Sequence, residues 1–378
     1  MSTGPLTSTP DKAQALPMRP TLPGRDYHDP SVFELERRTI FHGIWMCVGR
    51  EEQLPKPGDY LARELIDESV VIVRDESGRL GAFYNVCRHR GSRLCDEARG
   101  SFGGAIRCPY HSWTYSLQGG LIGIPNVGEV EGFDRKERGL RPVALDLWEG
   151  FIFVNLAPRP APLAEQLGRF ATDYARYRIG GLRVGRSITY DVQANWKIVA
   201  ENYNECLHCP GVHPELVKIV PIYRKGLVTE VGRTGVFMKD GATTFTDTGR
   251  SSLEPLPGLS DDDRRIYDGF TIFPNLMINL HSDSVMSYIV WPVSPERTVI
   301  VSDFLFEPST IARDGFDPDD LVSFWDRVGR QDWTVCERVQ KGVRSRAYGT
   351  GVYPPHEQHV YEFNQEYLRW RGKAPEAR

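Results

Sequence analysis

Residues Asn195 to His213 read NWKIVAENYNECLHCPGVH, and this stretch decides how the rest of the chain is understood. Its spacing predicts a helix that opens at an Asn cap and is stopped by Pro210 and Gly211. Trp196, Val199, Tyr203 and Cys206 share one stripe, while Glu201, Glu205 and His208 stack at i, i+4 and i+7 on the adjacent face. His213 follows just past the break. Two neutral imidazoles and one carboxylate suit a divalent first-row metal, and on one face they are the ligand set of iron(II) oxygenases. The alternative for this stretch alone is a core helix with two surface histidines.

The chain's 378 residues are enough for two domains, each with its own core. With 40% hydrophobic and 25% charged residues it has the composition of a soluble globular protein. A net charge of -4 and a pI near 6.2 exclude an electrostatic nucleic-acid binder. No apolar run approaches membrane-spanning length, so no membrane segment is expected. The first twenty residues, MSTGPLTSTPDKAQALPMRP, lack the apolar core of a signal peptide and read as a Pro/Ser/Thr-rich arm. Seven cysteines form no regular framework, which points to a reducing compartment and a cytoplasmic protein.

Residues 1–40 are expected to be this arm and a short amphipathic helix. Residues 41–157 alternate short β-rich runs with Gly, Pro and Asp turns, the pattern of an all-β domain. Two of its loops carry chemistry: Cys87-Arg-His89-Arg-Gly91-Ser92 and Cys108-Pro109-Tyr110-His111-Ser112-Trp113. Each offers one thiolate and one imidazole. A Cys2His2 zinc site would pair like with like and put its histidines on a helix. In a Rieske [2Fe–2S] cluster two Cys hold one iron and two His the other, and Cys-x-His with Cys-x-x-His is that form. Cys87, His89, Cys108 and His111 are therefore the expected cluster ligands. Arg88 and Arg90 beside them read either as solvated loop charges or as groups that raise the cluster potential.

PRPAP at Pro158 to Pro162 reads as a stiff linker. Residues 163–378 then read as an α+β domain with an antiparallel sheet. The expected helix is Leu163–Tyr177. Strands are expected at Val184–Val192, Leu227–Val231, Val236–Lys239, Thr271–Leu280, Ser284–Pro292 and Arg297–Phe306. The polar segment from Gly241 to Asp263 is expected to be a lid or a disordered loop. A last helix from Asp317 to about Arg346 keeps Leu321, Trp325, Val328, Val335 and Val339 on one face. Asp332 interrupts that stripe. A carboxylate there is costly unless it is paired or bound to metal, which makes it the third ligand; the competing reading pairs it with Arg330 or Arg338.

With these pieces placed, the chain resembles the α-subunit family of Rieske non-haem iron oxygenases. Glu205, His208 and His213 match the family's Glu/Asp-x-x-His-x-x-x-x-His motif. Asp332-x-x-x-Cys336-Glu337-x-x-Gln340-x-Gly342 and the run from Glu201 to Pro210 resemble the subgroup acting on quaternary ammonium compounds such as glycine betaine, choline, carnitine and proline betaine. The extra loop cysteines of respiratory Rieske proteins are replaced by Ser92 and Tyr110. The resemblance implies a helix-grip catalytic domain and a homotrimer in which electrons cross from one subunit's cluster to its neighbour's iron. It implies iron on His208, His213 and Asp332, with Glu205 bridging to the neighbour's cluster histidine; Glu205 also fits as a simple hydrogen-bond partner of His208.

The reaction expected from this resemblance is oxidative N-demethylation or hydroxylation of a small quaternary ammonium compound with O2. A separate flavin and iron–sulfur reductase would bring electrons from NAD(P)H. Tyr203, Phe270, Tyr288 and Trp291 are candidates for an aromatic cage, each also explicable as core packing. Two other readings stay open: an aromatic ring-hydroxylating dioxygenase or O-demethylase, and a Rieske electron carrier. Cys206 and Cys209 read as small packing residues.

Overall fold

Val70 to Val73 and Phe151 to Val154 are wholly apolar runs, rich in β-branched and aromatic side chains, and both become central strands. The computed structural model describes residues 17–128, 131–229, 235–251 and 253–373. Most of the expected N-terminal arm lies outside the described residues. The fold class is the α+β arrangement expected: a β-rich unit and a mixed unit, with antiparallel sheets in both.

The β-rich unit covers residues 37–166. Seven antiparallel strands run in the order Met46–Arg50, Phe151–Asn155, Pro142–Trp148, Leu80–Tyr84, Glu68–Arg74, Asp59–Leu65 and Arg99–Ser101. A second sheet of three short strands is formed by Ile106–Arg107, Thr114–Tyr115 and Leu121–Gly123. Val71, Val73, Phe83, Leu94, Ile106, Tyr115 and Leu121 form a core that also buries Cys87 and Cys108.

The mixed unit combines residues 17–36 with 167–373. Its six-stranded antiparallel sheet runs Arg183–Val192, Arg297–Phe306, Val285–Ser294, Leu276–Leu280, Ile266–Ile272 and Val236–Phe237. The helix Asp319–Val343 lies over one face, with Tyr190 of the first strand donating to Asp326 at 2.8 Å. Among the described residues no helix is long and apolar enough to cross a membrane.

Several expected elements differ. Thr271–Leu280 is not one strand but a hairpin, Ile266–Ile272 and Leu276–Leu280, because Pro274 in the middle removes a ladder donor. Leu163–Tyr177 breaks into two short helices and a 3-10 turn at Gly168, which adopts a φ of 53°. Leu227–Thr229 is irregular, and the rest of that expected strand lies outside the described residues. The Gly241–Asp263 segment is not a disordered loop: Phe245, Leu256 and Leu259 are buried. In the long helix Val339 is exposed, and the inward face beyond Val328 passes through Trp333, Cys336, Gln340 and Val343, as a 3.6-residue turn requires.

The helix Trp196–Tyr203 is held from both ends of the chain. Lys197 Nζ meets Glu36 Oε1 at 2.5 Å with both side chains fully buried. The same carboxylate accepts from Trp196 Nε1 at 3.0 Å and from the Tyr367 hydroxyl at 2.8 Å. One turn on, Glu201 accepts from the Tyr27 hydroxyl at 2.7 Å and Asn364 Nδ2 at 3.0 Å.

Candidate active site

The predicted single helix from Asn195 to Pro210 ends early. Asn195 caps it by accepting from Lys197 N at 2.9 Å, but its last residue is Tyr203. Asn204 turns its own amide back onto Ala200 O at 2.7 Å, and the Glu205 carboxylate accepts from the backbone N–H of Leu207 and His208. These local bonds compete with the helical ladder and release the chain into a turn. Two short helices, Cys209–Val212 and Pro214–Ile219, follow. Glu201 therefore does not stack with Glu205 and His208; burial pushes its carboxyl up, and the hydrogen bonds from Tyr27 and Asn364 oppose that. Cys206 and Cys209 are not independent packing residues, because their sulfurs are joined in a disulfide that brackets His208.

The turn brings His208 and His213 against the long helix. One ligand atom from each of His208, His213 and Asp332 lies within 4.8 Å of the others. His208 Nε2 is 3.2 Å and His213 Nε2 2.8 Å from Asp332 Oδ1. The competing salt bridge is not formed, since Arg330 pairs instead with Asp326 at 2.9 Å.

The outer ring nitrogens show that this set fits a divalent metal. His208 Nδ1 lies 2.5 Å from Glu205 Oε1, and His213 Nδ1 lies 2.6 Å from Gln331 Oε1. A carboxylate and an amide oxygen only accept, so both Nδ1 atoms carry the proton and both Nε2 atoms can present a lone pair. Burial alone would push the His208 imidazole down, but hydrogen bonds to Asp332 and Glu205 raise it to about 10. Burial pushes Asp332 up, yet hydrogen bonds from His208 and His213 bring its carboxyl below the usual range. A dication seated among the three would replace these protons as their common counter-charge.

In the β-rich unit the two ligand loops are structural twins. Cys87 N–H donates to Ser92 O at 2.7 Å and Cys108 N–H to Trp113 O at 2.9 Å. Four residues after each cysteine a left-handed residue, Gly91 with φ 73° or Ser112 with φ 56°, closes the loop onto the cysteine carbonyl. Cys87 and Cys108 are buried and interact directly, while the rings of the less buried His89 and His111 lie 4.6 Å apart. Two sulfurs inside and two imidazoles outside is the donor set a Rieske [2Fe–2S] cluster takes. The Tyr115 hydroxyl accepts from Arg88 N–H at 3.0 Å and lies 3.2 Å from Cys87 Sγ, placed to donate to it. Trp113 stacks flat on His89 at 4.7 Å.

Tyr203 and Tyr288 stand perpendicular, with ring centroids 6.3 Å apart, on the sheet face that carries the long helix. Phe270 and Trp291 belong to the opposite parity of their strands. Phe270 packs instead on Phe170 and Tyr174. Gln331 and Tyr115 went unread in the sequence. The only signals were that Gln331 adjoins Asp332 and that Tyr115 lies seven residues after Cys108.

A family model described as Ring hydroxylating alpha subunit (catalytic domain) matches residues 179–373, and a Rieske [2Fe-2S] domain model matches residues 44–134. The glycine betaine monooxygenase oxygenase subunit of Chromohalobacter salexigens is 32% identical, over 93% of this chain and 84% of that protein. The carnitine monooxygenase oxygenase subunit of Acinetobacter pittii is also 32% identical, over 87% of this chain and 86% of its own length. A solved structure of a quaternary ammonium Rieske monooxygenase superposes with a TM-score of 0.79 and 28% identity, covering 94% of this chain and 96% of that one. The chain thus belongs to the ring-hydroxylating α-subunit family of Rieske oxygenases and is an oxidoreductase.

Proposed function

We propose that this chain is the oxygenase component that oxidatively N-demethylates or hydroxylates a small quaternary ammonium compound such as glycine betaine, carnitine or choline. The observation that carries this reading is the crossed pair Tyr203 and Tyr288 on the sheet face covered by the helix that bears Asp332. A cation with no N–H to donate is best held by aromatic faces, and two perpendicular rings supply them. The names of the relatives agree with this class.

His208, His213 and Asp332 would hold iron, and Cys87, His89, Cys108 and His111 the [2Fe–2S] cluster. Together these would supply electrons and activated oxygen to a C–H bond. A quaternary nitrogen has no lone pair, so oxidation falls on an N-methyl carbon. The N-hydroxymethyl product then breaks down to formaldehyde and a tertiary amine. The chain's own work is to fix geometry. Glu205 and Gln331 orient the two imidazoles, and the long helix brings Asp332 against them. Glu205 is further proposed to reach a cluster histidine of a neighbouring subunit in a homotrimer. Electrons would come from NAD(P)H through a separate flavin and iron–sulfur reductase.

The test is turnover of the reconstituted protein with a reductase and NADH over a panel of betaines, choline, carnitine and aromatic acids. Formaldehyde or a hydroxylated product formed in step with NADH use, from a quaternary amine alone, is the expected result. Product from aromatic acids, with every quaternary amine inert, refutes the substrate class.

A further inference from the structure

The sheet face beneath the long helix carries polar atoms for which the metal centre has no use. Asn279 Oδ1 accepts from the Tyr267 hydroxyl at 2.5 Å and lies 3.1 Å from the Tyr203 hydroxyl, which also donates to Ile278 O at 2.8 Å; the buried Asn279 Nδ2 has no partner. His281, two residues on and so on the same side, is 1% exposed, and its Nε2 is also unpartnered. Trp325 stacks on His281 at 5.2 Å, and its buried Nε1–H donates to nothing. An orphaned buried polar atom costs about 1–3 kcal/mol, so three on one face are available to a polar ligand group that can pair with them. Trp325 lies seven residues before Asp332, about two turns or ~10 Å along the same side of the helix. Opposite Asn279 the neighbouring strand carries Gly269, whose lack of a side chain lets the Tyr203 and Tyr267 hydroxyls close on Asn279: a Cβ there would meet the Tyr203 hydroxyl at 3.0 Å.

The bonds behind His281 fix which way its proton points. Ser284 Oγ donates to Asp283 Oδ1 at 3.0 Å, so at neutral pH its single hydrogen is committed to an ionised carboxylate that only accepts. His281 Nδ1, 3.1 Å from Ser284 Oγ, must then be the donor, and Nε2 faces the cluster as a bare lone pair. Burial pushes this imidazole down to about 3, so it stays neutral. The cluster thus offers two N–H donors and one acceptor. Among the described residues no lysine or arginine is bonded to Asn279, His281, Asp283 or Trp325.

A carboxylate would set its charge against the Nε2 lone pair, near buried Asp283 and with no cation to meet it. A hydroxyl matches this set chemically, because it can accept from the Asn279 and Trp325 N–H groups and donate to His281. We infer that Asn279, His281 and Trp325 form the subsite for an alcohol, so that the substrate is a quaternary ammonium compound with a hydroxyl on the second carbon from nitrogen. Choline and carnitine share that unit. The inference rests on the quaternary ammonium reading above.

The test uses the holoenzyme with its reductase and compares kcat/KM within two pairs: choline against ethyltrimethylammonium, and carnitine against γ-butyrobetaine. Glycine betaine is a fifth substrate. The hydroxylated member of one pair is expected to win by about 100-fold or more, and which pair does so separates choline from carnitine. His281→Phe keeps the ring and removes the acceptor, and should cut that preference to below about 10-fold. Visible absorption and iron content matching the parent protein show that the variant is folded; if it is not, the pairs measured on the parent protein decide alone. Equal turnover of the deoxy compounds or of glycine betaine, or a preference that survives His281→Phe, overturns the inference alone. Oxidation of none of the five overturns the substrate class and this inference with it.

Discussion

Replacing Glu36 by Gln keeps the side chain's shape and removes one charge from a fully enclosed pair. Lys197 Nζ sits 2.5 Å from Glu36 Oε1, beside the rings of Tyr367 at 5.0 Å, Trp196 at 5.3 Å and Tyr27 at 5.7 Å, and the buried Glu201 carboxyl one turn on feels its charge more weakly. Those rings ease an ammonium but do not neutralise it. An ion left alone in such a place costs about 3–5 kcal/mol. Lys197→Met should cost a similar amount, because the carboxylate keeps only Trp196 and Tyr367 as donors. The double variant leaves no uncompensated charge and should recover most of the loss, about 3 kcal/mol short of additive. Urea unfolding followed by tryptophan fluorescence reads all four corners of this cycle, and each single variant should melt about 10 °C lower. Additive losses, or single costs below about 1 kcal/mol, would refute the claim that this pair clamps the helix leading to His208.

Gln331→Leu removes the acceptor that fixes the His213 tautomer and should weaken iron retention about 10–100-fold, read by chelator competition. Tyr115→Phe deletes an O–H aimed at Cys87 Sγ; losing about 1 kcal/mol of preference for the reduced cluster should lower its potential by about 40 mV in a redox titration. Two neighbours give opposite pH slopes. Burial raises Asp283 to about 6 from 3.8, so the folded state keeps a proton that the unfolded chain has released, and stability falls as pH rises through that window. Burial depresses His281 from 6.5 to about 3, so only the unfolded chain takes up a proton below 6.5, and stability falls as pH drops. Each slope is about 1.4 kcal/mol per pH unit, so between pH 4 and 6 they nearly cancel. Relative to the parent protein, Asp283→Asn should lose stability on acidification there and His281→Phe should gain it, as measured by urea midpoints at pH 4.5, 5.5 and 6.5.

What could be read from the sequence was what is local or what breaks a pattern. Cys87 with His89 and Cys108 with His111 are close in the chain, and spacing alone conveys a ligand loop. Asp332 stood out as a carboxylate within an apolar stripe. The end of the helix at Tyr203 did not, because Asn204 and Glu205 cap it with side chains that a periodicity argument treats only as polar positions. Glu201 was misplaced because its partners, Tyr27 and Asn364, lie more than 160 residues away in either direction. Phe270 and Trp291 were equal candidates with Tyr203 and Tyr288 until strand register assigned them to the other face. His281 looked like any histidine at a strand end, and its significance depends on Ser284, Asp283 and a tryptophan from a helix forty residues later.

The clamp on the Trp196–Tyr203 helix also bears on how the molecule is made. Residues 37–166 are contiguous, so a nascent chain can complete its iron–sulfur pocket while the ribosome is still adding the rest. The other pocket cannot close early. Its carboxylate arrives at residue 332, and Asn364 and Tyr367, which steady the Trp196–Tyr203 helix, emerge later still. The order of synthesis thus lets the cysteine–histidine loops of the first unit form before the His208, His213 and Asp332 cluster, and a chain stalled before Asn364 and Tyr367 would hold the first pocket without the supports of the second.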